Sequence, residues 1–260
     1  MPRYGMVIDL ARCMGCRSCV EACKVENNTG QSMFFMYVFR WEHGDYPNVT
    51  LSYLPRPCMH CSNAPCVKVC PTGARHRRDD GIVLTNYKAC IGCRYCEVAC
   101  PYGVNSFNWK KPADNQYYDW NGDEGKDVYG SGSVTDHIGT AIPPYENPDH
   151  DRLYGPERRL VAGGGHFIGV IEKCTFCVHR VDNGKLPACV ANCPTRTLRF
   201  GDLDDPDSEV SQLLGDNRSF ALLEELGTAP NVHYIGGSPP DSDTRTLNPP
   251  SRTVKLGGNR

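Results

Sequence analysis

Sixteen cysteines in this 260-residue chain fall into four groups of four. Cys13, Cys16, Cys19 and Cys23 follow C-x2-C-x2-C-x3-C. Cys58, Cys61, Cys66 and Cys70 follow C-x2-C-x4-C-x3-C. Cys90, Cys93, Cys96 and Cys100 repeat the first spacing, and Cys174, Cys177, Cys189 and Cys193 follow C-x2-C-x11-C-x3-C. Pro71, Pro101 and Pro194 follow the last Cys of three groups, and Lys24 follows the first. Three closely spaced thiolates wrap one face of an iron–sulfur cubane in a tight loop. A fourth, followed by proline, ligates the neighbouring cluster in two-cluster ferredoxins. No cysteine is left over. Each cubane takes four thiolates, so the spacing predicts four complete [4Fe–4S] clusters, with no open iron for a substrate.

Other uses of cysteine fit less well. Sixteen Cys in 260 residues is too sparse for the disulfide scaffolds of short secreted chains. Structural zinc sites pair two distant C-x2-C knuckles, whereas each group here ends in C-x3-C. A thioredoxin-like pair needs a βαβ setting that the flanking sequence lacks.

The elements that must hold these thiols read as strand, cluster loop and short helix, four times over with unequal spacers. Residues 4–10 and Ile82–Leu84 read as strands, as does Gly169–Glu172, and residues 19–26 read as a helix. Gly (26) and Pro (20) are frequent, so much of the backbone should be loop, and metal ligation would supplement the apolar core. The expected fold is α+β: tandem bacterial-ferredoxin-like modules with long loop insertions. Residues 58–110 form one two-cluster module, and residues 1–57 with 168–200 form the other. Residues 111–167 are a loop-rich insertion, and 201–260 a C-terminal extension and tail. The extension should hold helices at Ser208–Leu214 and Phe220–Leu226 and a strand at Val232–Ile235. The polar, Pro-rich tail after Gly236 is expected to need a partner to hold it.

The formal net charge of −2 gives no basic face for nucleic acid. Four oxidised clusters with their thiolates would add roughly −8. Such buried charge has to be met by N–H groups or cations. Arg12, Arg17, Lys24, His60, Arg94, Lys173, His179 and Arg180 flank the motifs; most read as solvated surface charges. Arg75-His76-Arg77-Arg78, followed by Asp79-Asp80, reads as a charged hairpin turn or partner contact. Met33–Trp41 is either core or a docking surface. Gly163-Gly164-Gly165 lacks dinucleotide-fingerprint spacing and reads as a flexible loop. No run of 18 apolar residues exists, so no direct membrane span is expected. Met1–Tyr4 leads straight into a strand with no signal-peptide pattern. Work outside the cytoplasm would need carriage by a partner.

The quartets, in this order, resemble the four-cluster subunit of the complex iron–sulfur molybdoenzymes, most of all the small subunits of respiratory arsenate, polysulfide and tetrathionate reductases. Gly5–Leu10, Pro65–Ala74, Glu172–Cys177 and Gly201–Pro206 carry the likeness, which covers about residues 5–110 and 170–235. The resemblance implies ligand exchange between motifs. One cluster would take Cys13, Cys16, Cys19 and Cys193; another Cys174, Cys177, Cys189 and Cys23. The central pair would be Cys58, Cys61, Cys66 with Cys100, and Cys90, Cys93, Cys96 with Cys70. Nitrate reductase relatives replace one third-group Cys by Trp, but Cys93 stands here. The implied role is electron transfer between a large molybdenum (or tungsten) bis-pterin catalytic subunit, near the first cluster, and an integral membrane quinone-interacting subunit, near the third-group cluster. The complex would lie peripheral to the membrane, with the periplasmic (extracytoplasmic) face favoured over the cytoplasmic one. The rival reading is a catalytic iron–sulfur oxidoreductase acting on its own.

Overall fold

Strand β1 (Tyr4–Asp9) is covered on both faces, with Met6, Val7 and Ile8 fully buried. Its side chains alternate, so Met6 and Ile8 join the main core while Val7 packs with Val210 and Ile235 on the other face. β1 is the centre of a three-stranded sheet ordered β8–β1–β9. β8 (Leu198–Asp202) pairs with it antiparallel, placing Met6 opposite Phe200. β9 (Val232–Ile235) pairs with it in parallel, placing Met6 opposite Val232. The computed structural model describes residues 1–109 and 168–237, apart from Asn28 and Gln31. The expected insertion at 111–167, including the Gly163–Gly165 loop, and the tail from residue 238 lie outside the described residues.

The motif loops lead into short helices. α1 (Ser18–Asn27) carries Cys19 and Cys23. α2 (Pro65–Lys68) and α3 (Tyr95–Val98) carry Cys66 and Cys96 and pack on each other. α4 (Val178–Val181) follows Cys177, and α5 (Ala188–Ala191) carries Cys189 and packs on α1. α2 begins with Pro65, whose missing N–H costs nothing in a first turn. Two-stranded sheets brace the loops. They are β2 (Tyr37–His43) with β3 (Thr50–Arg56), β4 (Arg75–Arg77) with β5 (Val83–Thr85), and β6 (Ser106–Phe107) with β7 (Ile171–Glu172). The described chain thus mixes helix and strand.

The Met33–Trp41 stretch resolves as core. Phe35, Met36, Val38 and Phe39 are buried, and their neighbours Cys19, Cys23 and Leu54 belong to the same cluster of side chains. In the extension, α6 (Glu209–Asp216) forms as expected, and Ser208 Oγ accepts the Ser211 N–H at 3.2 Å. The helix expected at Phe220–Leu226 does not form. Phe220 instead exchanges backbone hydrogen bonds with Tyr234, and their rings stack with centroids 5.4 Å apart. Leu223 is left-handed (φ 53°), so only a 3-10 turn at Glu224–Leu226 remains. The strand expected at Gly169–Glu172 shortens to Ile171–Glu172 because Gly169 has φ 79°.

Candidate metal centres

Each helical turn after a motif loop places two thiols one turn apart, and the two enter different quartets. One cavity is lined by Cys13, Cys16, Cys19 and Cys193, walled by Met14, Val38, Pro55 and Leu198. A second holds Cys58, Cys61, Cys66 and Cys100. A third holds Cys70, Cys90, Cys93 and Cys96. The remaining four thiols are mutual electrostatic neighbours: Cys23 lies against Cys177 and Cys174, and Cys189 against Cys177, Cys23 and Cys174. Every quartet therefore draws three thiols from one motif and one from another. None of the sixteen is joined to another by a disulfide.

The thiols converge on shared space without closing on a point. Around one zinc ion, Zn–S bonds of about 2.3 Å would bring tetrahedral thiolates to within ~4 Å of each other. Among the described residues, no three Cys, His, Asp or Glu side chains gather in the manner a single ion needs. Four thiols around a common cavity, with apolar walls, fit a polynuclear core bonded through its corners.

Two glycines shape the C-x2-C loops. Gly15 and Gly92 both have φ 69°. A Cβ on Gly92 would lie 2.1 Å from the Gly169 carbonyl oxygen, and one on Gly15 would lie 2.2 Å from the Tyr53 ring. Arg17 and Arg94, each following the second Cys of its motif, share left-handed φ values of 63° and 65°. The same loop geometry is built twice.

Burial pushes the deep thiols up, and neighbouring thiolates add to this. Cys19, Cys61 and Cys177 rise to about 12, and Cys66 and Cys174 to about 11. These groups stay protonated at neutral pH until metal displaces the proton. Cys70 and Cys193 behave oppositely. Burial opposes their ionisation, yet hydrogen bonds outweigh it and hold both thiols below their ordinary value. The Arg75 N–H donates to Cys70 Sγ at 3.3 Å, and the Thr197 N–H to Cys193 Sγ at 3.3 Å.

Several flanking cations read as solvated are buried. Lys173 Nζ donates to the carbonyls of Val83 and Cys174, the latter at 2.8 Å. Lys24 Nζ reaches the Met33 carbonyl at 2.9 Å and Thr29 Oγ1 at 3.1 Å, and burial lowers its pKa to about 8. His60 stacks on Phe176 at 3.7 Å and its Nδ1 accepts the Val83 N–H, which fixes a neutral ring. Burial, followed by the charges of Lys173 and Arg75, holds its pKa well below the ordinary value. His179 and Arg180 both grip Glu26. Arg12 and Arg17 are exposed as expected, and Arg94 pairs with Glu97. The sequence reading missed Arg75 and Glu26. Arg75 belongs to the basic run, but it starts β4 at the buried end of the strand, whereas Arg77 at the other end is exposed.

Comparison with known proteins agrees with this construction. Models of the 4Fe-4S dicluster domain match residues 49–115 with 166–203, and residues 12–74. The chain is 43% identical to the arsenate respiratory reductase iron-sulfur subunit of Shewanella sp. (strain ANA-3), covering 90% of this chain and 96% of that one. It is 42% identical to a putative dimethyl sulfoxide reductase iron-sulfur subunit of Halobacterium salinarum, covering 91% and 80%. It is also 42% identical to a selenate reductase subunit of Mesobacillus selenatarsenatis, covering 88% and 70%. With dicluster domains and relatives of this kind matched over most of their length, the chain belongs to the iron–sulfur, electron-transferring subunits of the complex iron–sulfur molybdoenzymes.

Proposed function

We propose that the chain holds four [4Fe–4S] clusters in a row. They relay electrons between a molybdenum (or tungsten) pterin catalytic subunit and a membrane quinone-interacting subunit, and the chain has no substrate chemistry of its own. The observation that carries this reading is the exchange of thiols between motifs. The proposed ligand sets are Cys13, Cys16, Cys19, Cys193; Cys23, Cys174, Cys177, Cys189; Cys58, Cys61, Cys66, Cys100; and Cys70, Cys90, Cys93, Cys96. Bound clusters would supply one-electron carriers. The protein's part is to order them.

Contacts between the quartets support a sequence. The Cys13 and Cys23 quartets share α1 and the Cys189–Cys193 turn. Cys174 lies against Cys58, joining the outer pair to the central pair. The Cys58 and Cys70 quartets share the turns at Cys66–Cys70 and Cys96–Cys100. This also supports the two proposed modules, 1–57 with 168–200 and 58–110. At one end Cys16 and Met14 are exposed; at the other, Cys93 is exposed beside Ile91, Tyr95, Val98 and Trp109. Apolar residues grouped beside an exposed thiol suit docking against a partner. No helix among the described residues is long and apolar enough to cross a membrane. The proposed placement is peripheral, within a complex on the extracytoplasmic face.

The rival, a chain that turns over substrate alone, needs an iron with an open position, and all sixteen thiols are committed. The deciding experiment purifies the full chain anaerobically, alone and with co-purifying subunits. We expect about sixteen irons, four one-electron components by EPR, and no oxyanion reduction by the chain alone. Fewer than four components would sink the cluster count, and turnover by the lone chain would favour the rival.

A further inference from the structure

Arg75 is 1% exposed, and among the described residues no carboxylate hydrogen-bonds it. Its Nη2 donates to Asn105 Oδ1 at 2.8 Å and to Cys96 Sγ at 3.4 Å. Among the described residues, its Nε and Nη1 have no hydrogen-bond partner. Its own backbone N–H donates to Cys70 Sγ. It lines the cavity of the Cys70 quartet, yet its attractions reach Cys66 and Cys58 of the next quartet as well as Cys96. Burying an uncompensated guanidinium is strongly unfavourable, and neutral thiols do not repay it. Two negatively charged groups, one on each side, would.

We infer that Arg75 is a shared positive charge that raises the reduction potentials of the two central clusters together. The inference rests on the ligand sets proposed above. When a cluster accepts one electron its net charge becomes more negative by one, and a fixed cation favours that state. The cation stands in a low-dielectric interior, where salt screens it little. No proton moves with the electron on its account, because arginine stays protonated throughout. Burial works against the charged guanidinium, and charged sulfurs at Cys96 and Cys66 would offset it, in keeping with a site built for a cation beside ligated thiolates.

Two other buried groups near these thiols differ in kind. His60 is held neutral. Lys173 has two carbonyl acceptors and faces Cys66 and Cys174, so its charge bears on the junction between modules rather than on the central pair alone.

The test is EPR-monitored potentiometry of the cluster-loaded full chain carrying Arg75→Gln, Arg75→Lys or Asn105→Asp. In Arg75→Gln, two of the four potentials should fall by at least tenfold in the one-electron equilibrium constant, about 59 mV. The other two should hold, and the shift should not change with pH. Arg75→Lys, which keeps the charge, should recover at least half of the shift. Asn105→Asp sets a carboxylate against the guanidinium with almost no change of shape, and should lower the same two potentials. That variant carries the test if Arg75→Gln fails to assemble. Unmoved potentials in both Arg75→Gln and Asn105→Asp would overturn the role of Arg75, as would an equal fall in all four. A parent protein with fewer than four components would instead take down the cluster reading, and this inference with it.

Discussion

Gly92 occupies a point where no side chain fits. Its left-handed backbone disfavours most other residues by roughly 1–2 kcal/mol, and a methyl group would also overlap the Gly169 carbonyl. Gly92→Ala should therefore force the Cys90–Cys93 loop apart and cost one cluster. Iron analysis should fall by about a quarter, with the other three EPR components retained. A full iron complement in the variant would show that the loop does not set ligation. At this scale the sequence was legible where motif spacing announces a residue type, as with the cysteine groups whose thiols the fold gathers. It was opaque where the surroundings decide. Nothing adjacent to Lys173 says that it is buried, because its acceptors include Val83, ninety positions away. Arg75 hid in a basic run for the same reason.

Glu26 is the clasp between α1 and α4. Its carboxylate accepts from His179 Nε2 at 2.7 Å and from Arg180 Nη1 at 2.9 Å. Burial alone would raise its pKa, but these two partners outweigh burial and hold it below the ordinary 4.5. The stabilisation is thus present above that value and is lost as pH falls through the lowered folded value. Glu26→Gln should destabilise the chain by about 3 kcal/mol at neutral pH, the low end for a broken buried pair, since Arg180 keeps partial solvent contact. Denaturant midpoints for cluster release would measure this, and the gap to the parent should begin to close below pH 4.5. A gap independent of pH would mean the carboxylate charge is not what holds the helices. Elements whose apolar pattern is local, such as β1, α1 and α6, were legible in the sequence. The false helix at Phe220–Leu226 was not separable by pattern, because a distant strand end, Tyr234, captures Phe220.

Across the whole molecule, the largest core contains Cys19, Cys23, Cys58, Cys61, Cys66, Cys96, Cys174 and Cys189 beside Met6, Phe35 and Tyr234. The proposed ligand thiols thus run through the centre of the apolar packing. Removing iron with a chelator under mild oxidation should unfold the chain cooperatively, with loss of strand signal by circular dichroism. An iron-free chain that keeps its native spectrum would refute this. The pairing order of β8–β1–β9 was the least legible feature, since it joins β1 to segments about 190 and 226 residues away. That arrangement dictates a timetable. While a ribosome is still short of residue 193, Cys13, Cys16 and Cys19 wait without their proposed fourth companion, and β1 has no neighbour on either edge. The eight thiols from Cys58 to Cys100 have all emerged by then. On the proposed ligand sets, the central pair of quartets can be completed first, and the quartet at the end where the chain began only last.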